Sequence, residues 1–182
     1  MTWCVNAGVR LTDFSFSLVL SLPTSLNLPL ERPSFMFSKI MSTSATWVTV
    51  PIRLGLAAVM IAHGSQKVLG VFGGPGFKAW TAGTTPFAFM RPAWLWLGAA
   101  ALSELLGGAL VALGFLTRIG AFVIGCTMLT AIAGIHWPGG FFASNRGYEY
   151  PLALFAMAFA LLIGGGGQAS VDRAFAGERR RR

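Results

Sequence analysis

Apolar residues are concentrated in four runs along the chain, and polar or glycine-rich stretches separate the runs. A helix needs roughly 20 apolar residues to cross the core of a bilayer, and each run is close to that length. The pattern predicts an all-α fold, an integral membrane four-helix bundle. The four runs cover residues 47–69, 93–117, 119–137 and 148–164.

The connections between the runs indicate how the predicted helices are arranged. Only the turn at 114–118 joins the second run to the third, so these two helices must be antiparallel neighbours. The connection at 70–92 is longer and rich in aromatic residues, and we expect it to cover one end of the bundle. Ala99, Ser103 and Gly107 recur every four residues in the second run, a spacing that permits close helix packing in lipid.

Composition supports a membrane protein and argues against a nucleic-acid partner. Hydrophobic residues make up 54% of the chain and charged residues 11%, whereas soluble domains carry about 25% charged residues. The net charge is +8, but the basic residues flank apolar runs, which favours contact with membrane lipid. The two cysteines form no CxxC pair, and no metal-binding pattern is present.

Three segments with different compositions divide the chain. Residues 1–46 are rich in Ser, Thr and Pro and predict a poorly structured extension, with Met41 as an alternative start. Residues 47–167 form the predicted bundle, and residues 168–182 form a basic tail. Seven Lys and Arg residues near the spans lie on the side of both termini and four on the other side, which predicts cytoplasmic termini.

Glu104 is the single charged residue within the otherwise uncharged second run. A carboxylate near the bilayer centre costs at least a few kcal/mol, so its side chain must face protein or water. Two roles remain open for it. Glu104 could handle protons in a reaction, or it could hold helices together by pairing with Arg53 or Lys67. Arg53 itself could instead extend to the cytoplasmic surface.

The predicted topology gathers polar side chains near the outer end of the bundle, with Glu104 below them. Such a set suits the polar head of a lipophilic molecule, and a quinone fits because its carbonyls accept hydrogen bonds and its reduction takes up protons. His136 as an interfacial residue and Glu149 as a partner of the helix dipole are the plainer alternatives. The candidate catalytic residues are Glu104 and Glu149, and the candidate quinone-binding residues are His63, Lys67, Trp80 and His136.

Several motifs in this chain resemble those of the DoxX family. They are RLGLAAVMIAHGSQKVLG, SELLGG at 103–108, GFLTR at 114–118, and a GxxSxD ending formed by Gly167, Ser170 and Asp172. The resemblance implies a four-helix protein of the bacterial inner membrane, similar to a subunit of thiosulfate:quinone oxidoreductase. It also implies that His63, Lys67, Glu104 and Glu149 belong to the recurring polar positions of the family.

Two functional hypotheses follow. In the first, the protein is a quinone-associated subunit or accessory of a membrane redox system. A partner subunit or a small thiol or sulfur compound supplies the electrons, because the chain carries no evident redox centre. In the second, it is a membrane scaffold that docks a soluble oxidoreductase through its basic tail and aromatic loop, and Glu104 is structural. A small-molecule carrier is a weaker third alternative, since no inverted repeat is evident. A homo-oligomer is compatible with either arrangement.

Overall fold

The computed structural model describes residues 43–180, with side chains as far as Ala176. Within this part of the chain every regular element is a helix, as the all-α prediction requires. Six α-helices follow one another. They are α1 (Thr49–Leu69), α2 (Gly76–Thr81), α3 (Ala93–Leu113), α4 (Thr117–Ala131), α5 (Glu149–Gly164) and α6 (Val171–Arg180).

The four longer helices share one hydrophobic core. Helix α1 packs against α3 and α5, and α4 packs against the same two helices on the other side. All four contribute fully buried side chains, so the core lies on the common axis of the group. The largest of these side chains are Leu56 and Met60 from α1, Val111 from α3, Ile124 from α4 and Leu161 from α5.

The turn between α3 and α4 has the tight geometry that the sequence predicts. Gly114 ends α3 with φ 67°, in the left-handed region that glycine adopts without strain. Its N–H donates to the carbonyls of Leu110 and Val111, and the N–H of Phe115 also donates to Leu110. Only Phe115 and Leu116 lie between Gly114 and the first residue of α4, so the two helices are antiparallel neighbours.

Glycines allow the helices to approach one another closely. A Cβ atom on Gly64 of α1 would lie 2.4 Å from the backbone nitrogen of Leu105 on α3. Across the α3–α4 boundary, a Cβ on Gly107 would lie 3.3 Å from the carbonyl oxygen of Gly120. Ser103, one turn earlier on α3, is hydrogen-bonded to a threonine hydroxyl of α4 at 2.6 Å. Ser103 and Gly107 therefore lie at a helix contact, whereas Ala99, the first residue of the predicted spacing, is exposed.

The third apolar run is α-helical only as far as Ala131. A π-helical turn follows at Ile132–His136, and a 3₁₀ turn follows at Trp137–Gly139. The connecting loop lies against this stretch, since a Cβ on Gly134 would come within 2.5 Å of the Pro86 side chain. The sequence pattern shows only an apolar run here, and the irregular backbone lies where the loop contacts the helix.

Two helical segments are long and apolar enough to cross a membrane, Ala93–Leu113 and the continuous stretch Thr117–Gly139. Most of their outward surface is not covered by the described chain, with Trp94 62% and Phe122 57% exposed. Buried core helices of soluble proteins do not leave such side chains uncovered. Helix α1 is less apolar and α5 is shorter, so the passage of all four helices through a bilayer stays a prediction.

The ends of the described chain meet at one end of the bundle. Ser44, in the last part of the predicted N-terminal extension, donates its N–H to the carbonyl of Gly164 at 3.1 Å. Residues 43–46 are thus held against the end of α5, and the rest of that extension, Met41 included, lies outside the described residues. The basic tail that the sequence predicts begins as the helix α6.

Candidate functional site

Lys67 and Glu104 form an ion pair that joins α1 to α3. The Lys67 Nζ atom lies 2.5 Å from Glu104 Oε1 and 2.6 Å from Oε2. The close approach of Gly64 to Leu105 places the two side chains opposite each other. The Glu104 side chain is 5% exposed and that of Lys67 is 19% exposed, so lysine is the more accessible partner. Of the two partners expected for Glu104, Lys67 is the one the structure shows.

Trp80 on the short helix α2 completes this arrangement. Lys67 Nζ lies 4.7 Å from the centre of the Trp80 ring, a cation–π distance. The indole Nε1–H donates to the carbonyl of Leu97 at 2.9 Å, which fixes the ring against α3. Lys67, Glu104 and Trp80 are three of the residues predicted from the sequence, and we call them the Lys67 cluster.

His63 lies one helical turn before Lys67, at the boundary between α1 and α5. Its ring is exposed, and its centre lies 6.4 Å from that of Tyr150. Glu149, the neighbour of Tyr150, donates its backbone N–H to Phe141 at 2.9 Å. Its half-buried carboxylate pairs with no residue within 43–176. The structure therefore brings His63 near the start of α5 and leaves the Glu149 carboxylate without an ionic partner in this region.

His136 belongs to a different contact network. Its Nδ1 atom lies 2.8 Å from the carbonyl oxygen of Arg146, which bridges the two ends of the connection between the π turn and α5. The rings of Trp137 and Tyr148 stack beside it, with their centres 5.3 Å apart. The hydrogen bond found for His136 among the described residues thus stays within this loop. It does not connect His136 to the Lys67 cluster.

A second polar cluster lies at the opposite end of the bundle, and the sequence did not assign it a site. The Asp172 carboxylate accepts the N–H of Leu116 at 2.8 Å, and the N–H and hydroxyl of Thr117 at 3.0 and 2.8 Å. Arg53 donates to the carbonyls of Gly166 and Ala169 at 2.8 and 2.6 Å. We call these residues the closing cluster.

The closing cluster corrects one expectation. Arg53 was a candidate for extending to the cytoplasmic surface, but it is buried, and its Nη1 and Nη2 groups donate to backbone carbonyls after α5. Its Nε group is buried without a hydrogen-bond partner among the described residues. The sequence did not indicate that Arg53 and Asp172 belong to one cluster, because their contacts join residues far apart in the chain. The signal that could have grouped them is their joint presence in the motifs at 53, 114–118 and 167–172.

The two clusters differ in what they can do chemically. In the closing cluster the polar side chains are buried, and most of their hydrogen bonds are with backbone groups, which suits a structural role. In the Lys67 cluster, an ammonium carries three N–H donors, and the side chain remains partly exposed beside an aromatic ring. Only the Lys67 cluster therefore offers donors that a bound molecule could reach.

Comparison with known proteins matches part of the chain to a known family. Residues 48–137 match the family model of DoxX. The matched region includes every member of the Lys67 cluster as well as His63 and His136, and it ends before Glu149. No curated protein and no solved structure matches the chain.

Proposed function

Because the chain belongs to the DoxX family through residues 48–137, we propose that it is a four-span protein of the bacterial inner membrane with both termini in the cytoplasm. Its two membrane-capable helical segments and their exposed apolar side chains support a membrane location. Helices α1 and α5 pack against these segments and would complete the four spans. The excess of Lys and Arg on the side of the termini supports the orientation.

We further propose that the protein is a quinone-associated subunit or accessory of a membrane redox system. The observation that carries this proposal is the Lys67 side chain, which is held by Glu104 and Trp80 but remains 19% exposed. A fixed donor beside an aromatic ring matches a quinone, whose carbonyl accepts a hydrogen bond and whose ring stacks on aromatic side chains. His63, one turn away on α1, would donate to the second carbonyl or to water.

The charges of the Lys67 cluster favour an uncharged head group. The positive charge of Lys67 and the negative charge of Glu104 lie in direct contact and largely cancel. An anion, such as an oxidised sulfur compound, would gain little net attraction and would meet the Glu104 carboxylate. An anionic electron donor would therefore bind a partner subunit, and the quinone would bind this chain.

The proposed chemistry is quinone reduction, in which one quinone takes up two electrons and two protons to form a quinol. The electrons would come from the partner subunit. Lys67, which carries the proton in the ion pair, would pass it to the carbonyl that it faces, and Glu104 would take up a proton from water and return it to Lys67. Glu149 would connect the second carbonyl to water. Both assignments of the acidic residues as proton carriers are proposals based on their position and chemistry.

A membrane scaffold is the second candidate, and one observation favours it. Lys67 contacts both oxygens of Glu104 and also faces the Trp80 ring, so the charges of the two side chains are already compensated within the protein. Such a pair could serve only to tie α1, α2 and α3 together. The exposed aromatic loops and α6 would then dock a soluble oxidoreductase.

Glu104→Gln separates the two candidates. Glutamine keeps the size and an acceptor oxygen but cannot deliver a proton. If Glu104 carries protons, we expect quinone reduction by membranes from producing cells to fall by about a hundredfold, with the amount of protein unchanged. Ser103→Ala, next to Glu104 but bonded to α4, is the control and should retain activity. Loss of the Glu104→Gln protein from the membrane, measured by immunoblot, would instead support the scaffold.

Quinone binding can be measured without knowledge of the partner. We expect detergent-purified protein to contain extractable quinone and to unfold at a higher temperature when a soluble quinone analogue is added. Lys67→Met should remove the analogue's effect, whereas Lys78→Met, on the exposed side of α2, should preserve it. Repeated extraction without quinone, together with no change in unfolding temperature, would contradict quinone binding.

A further inference from the structure

We propose that α6 and the arginines that follow it form an arm that binds anionic phospholipid at the membrane surface. The arm consists of residues 171–182. The inference depends on the proposed membrane arrangement but not on quinone binding, because the arm lies at the opposite end of the bundle from the Lys67 cluster. Its ligand would be the phosphate and other negatively charged groups of lipid heads.

The first turn of α6 is fixed at the start of a membrane-capable segment. The Asp172 N–H donates to the carbonyl of Gly114 at 2.9 Å, and the Asp172 carboxylate accepts N–H groups of Leu116 and Thr117. Thr117 is the first residue of the apolar segment that runs to Gly139. The arm therefore begins at the level where that segment leaves the apolar region, rather than at the end of a free linker.

The length of α6 keeps the arm near this boundary. Its ten residues span about 15 Å at 1.5 Å per residue. The helix end at Arg180 thus stays within about 15 Å of the anchored turn, in whatever direction the helix axis points. Because the whole helix stays this close to the lipid heads, contact with them can extend along the arm.

The composition of the arm matches a membrane interface. Five arginines, at 173 and 179–182, stand against two acidic residues, and one of these, Asp172, is buried at the start of α4. Phe175 is 50% exposed and lies four residues after Val171, on the same side of the helix. At 100° per residue, Arg173 points to the opposite side from Phe175. An exposed aromatic side chain, with one arginine on the opposite side of the helix and further arginines at the helix end, suits a segment that lies in the interface.

Charge complementarity identifies the partner. The arm lies on the side of the bundle that the Lys and Arg count assigns to the cytoplasm, and the cytoplasmic leaflet carries anionic lipids. An RNA would also attract arginines, but an RNA would not account for the exposed Phe175 or for the anchorage at the membrane boundary. Anionic lipid explains all three observations.

The test places a spin label on the arm of the full chain in lipid nanodiscs. A nitroxide attached to Ala176→Cys, in a background of Cys4→Ser and Cys126→Ser, reports collisions with a water-soluble paramagnetic complex. We expect fewer collisions in discs that contain phosphatidylglycerol than in discs of phosphatidylcholine alone. Each arginine near an anionic surface changes affinity by about fivefold, so R179Q, R180Q, R181Q and R182Q together should reduce the docked fraction at least about tenfold.

Two controls test whether the effect is specific to the arm. K78Q, R91Q and R146Q together remove exposed basic residues outside the arm and should leave the lipid effect intact. High salt on the unsubstituted arm should reproduce the result of the four substitutions. Equal collision rates in the two kinds of disc would overturn the proposal, as would a lipid effect that survives the four substitutions. An effect that follows added RNA instead of phosphatidylglycerol would assign the arm to nucleic acid.

Discussion

Replacing Gly64 with alanine is expected to cause a large loss of stability. The new Cβ atom would lie 2.4 Å from the backbone nitrogen and 2.7 Å from the Cα atom of Leu105. Backbone atoms cannot rotate away, so α1 and α3 would have to separate along their whole contact. We expect the free energy of unfolding to fall by about 3 kcal/mol or more. The distance between Lys67 Nζ and the Glu104 carboxylate, which spans the same boundary, would increase as well.

Gly55→Ala provides a matched control on the same helix. A Cβ at Gly55 would meet only the end of the flexible Met157 side chain, at 3.4 Å. Alanine also favours the helix over glycine by about 0.5–1 kcal/mol, so this variant should be as stable as the unsubstituted protein or slightly more so. Thermal unfolding in detergent and the amount of protein in membranes measure both variants. Equal stability of the two would show that α1 and α3 do not pack as closely as described.

Asp172→Ala is expected to have an effect of similar size. Its buried carboxylate accepts three hydrogen bonds from Leu116 and Thr117, and it also interacts with the positive charge of Arg53. Alanine would leave the first N–H groups of α4 without an acceptor and Arg53 without a nearby negative charge. We expect a loss of roughly 3–5 kcal/mol, the range for breaking a buried charged interaction.

Asp172→Asn tests the source of that loss. Asparagine keeps one acceptor oxygen and the volume, but it loses the negative charge, so it should be less damaging than alanine and still measurably unstable. Hydrogen exchange should show faster opening at Leu116 and Thr117 in both variants, with little change in the middle of α3. Unchanged exchange at these amides in Asp172→Ala would contradict the described role of the carboxylate.

Much of the helical framework could be predicted from the sequence, because an apolar run of about 20 residues has few stable structures other than a helix. Three of the four long helices fall within the predicted runs, and α4 begins two residues before its run; the turn at Gly114 follows from its short length and its glycine. The short helix α2 was not predicted, since glycines and Pro75 around it indicate a loop. Its helical form places Trp80 over Lys67, a contact that composition could not reveal.

The candidate site was predicted in part, and the missing part concerns contacts between distant segments. Helical spacing placed Glu104 and two basic residues of α1 within one bundle, but it could not choose between Arg53 and Lys67. That choice depends on where α1 and α3 cross, which the close contact at Gly64 fixes. His136 was grouped with Lys67 by depth alone, whereas the structure gives it a backbone partner in its own loop.

The acceptors of Arg53 also have a consequence for how the protein is made. Gly166 and Ala169 lie 113 and 116 residues further along the chain, so they leave the ribosome after α1 has formed. At 5–20 residues per second, that delay is on the order of ten seconds. In the proposed four-span arrangement, the Arg53 guanidinium therefore lacks its native acceptors until the chain after the last span has been synthesised. During this interval, the translocon or lipid phosphates would need to compensate its charge.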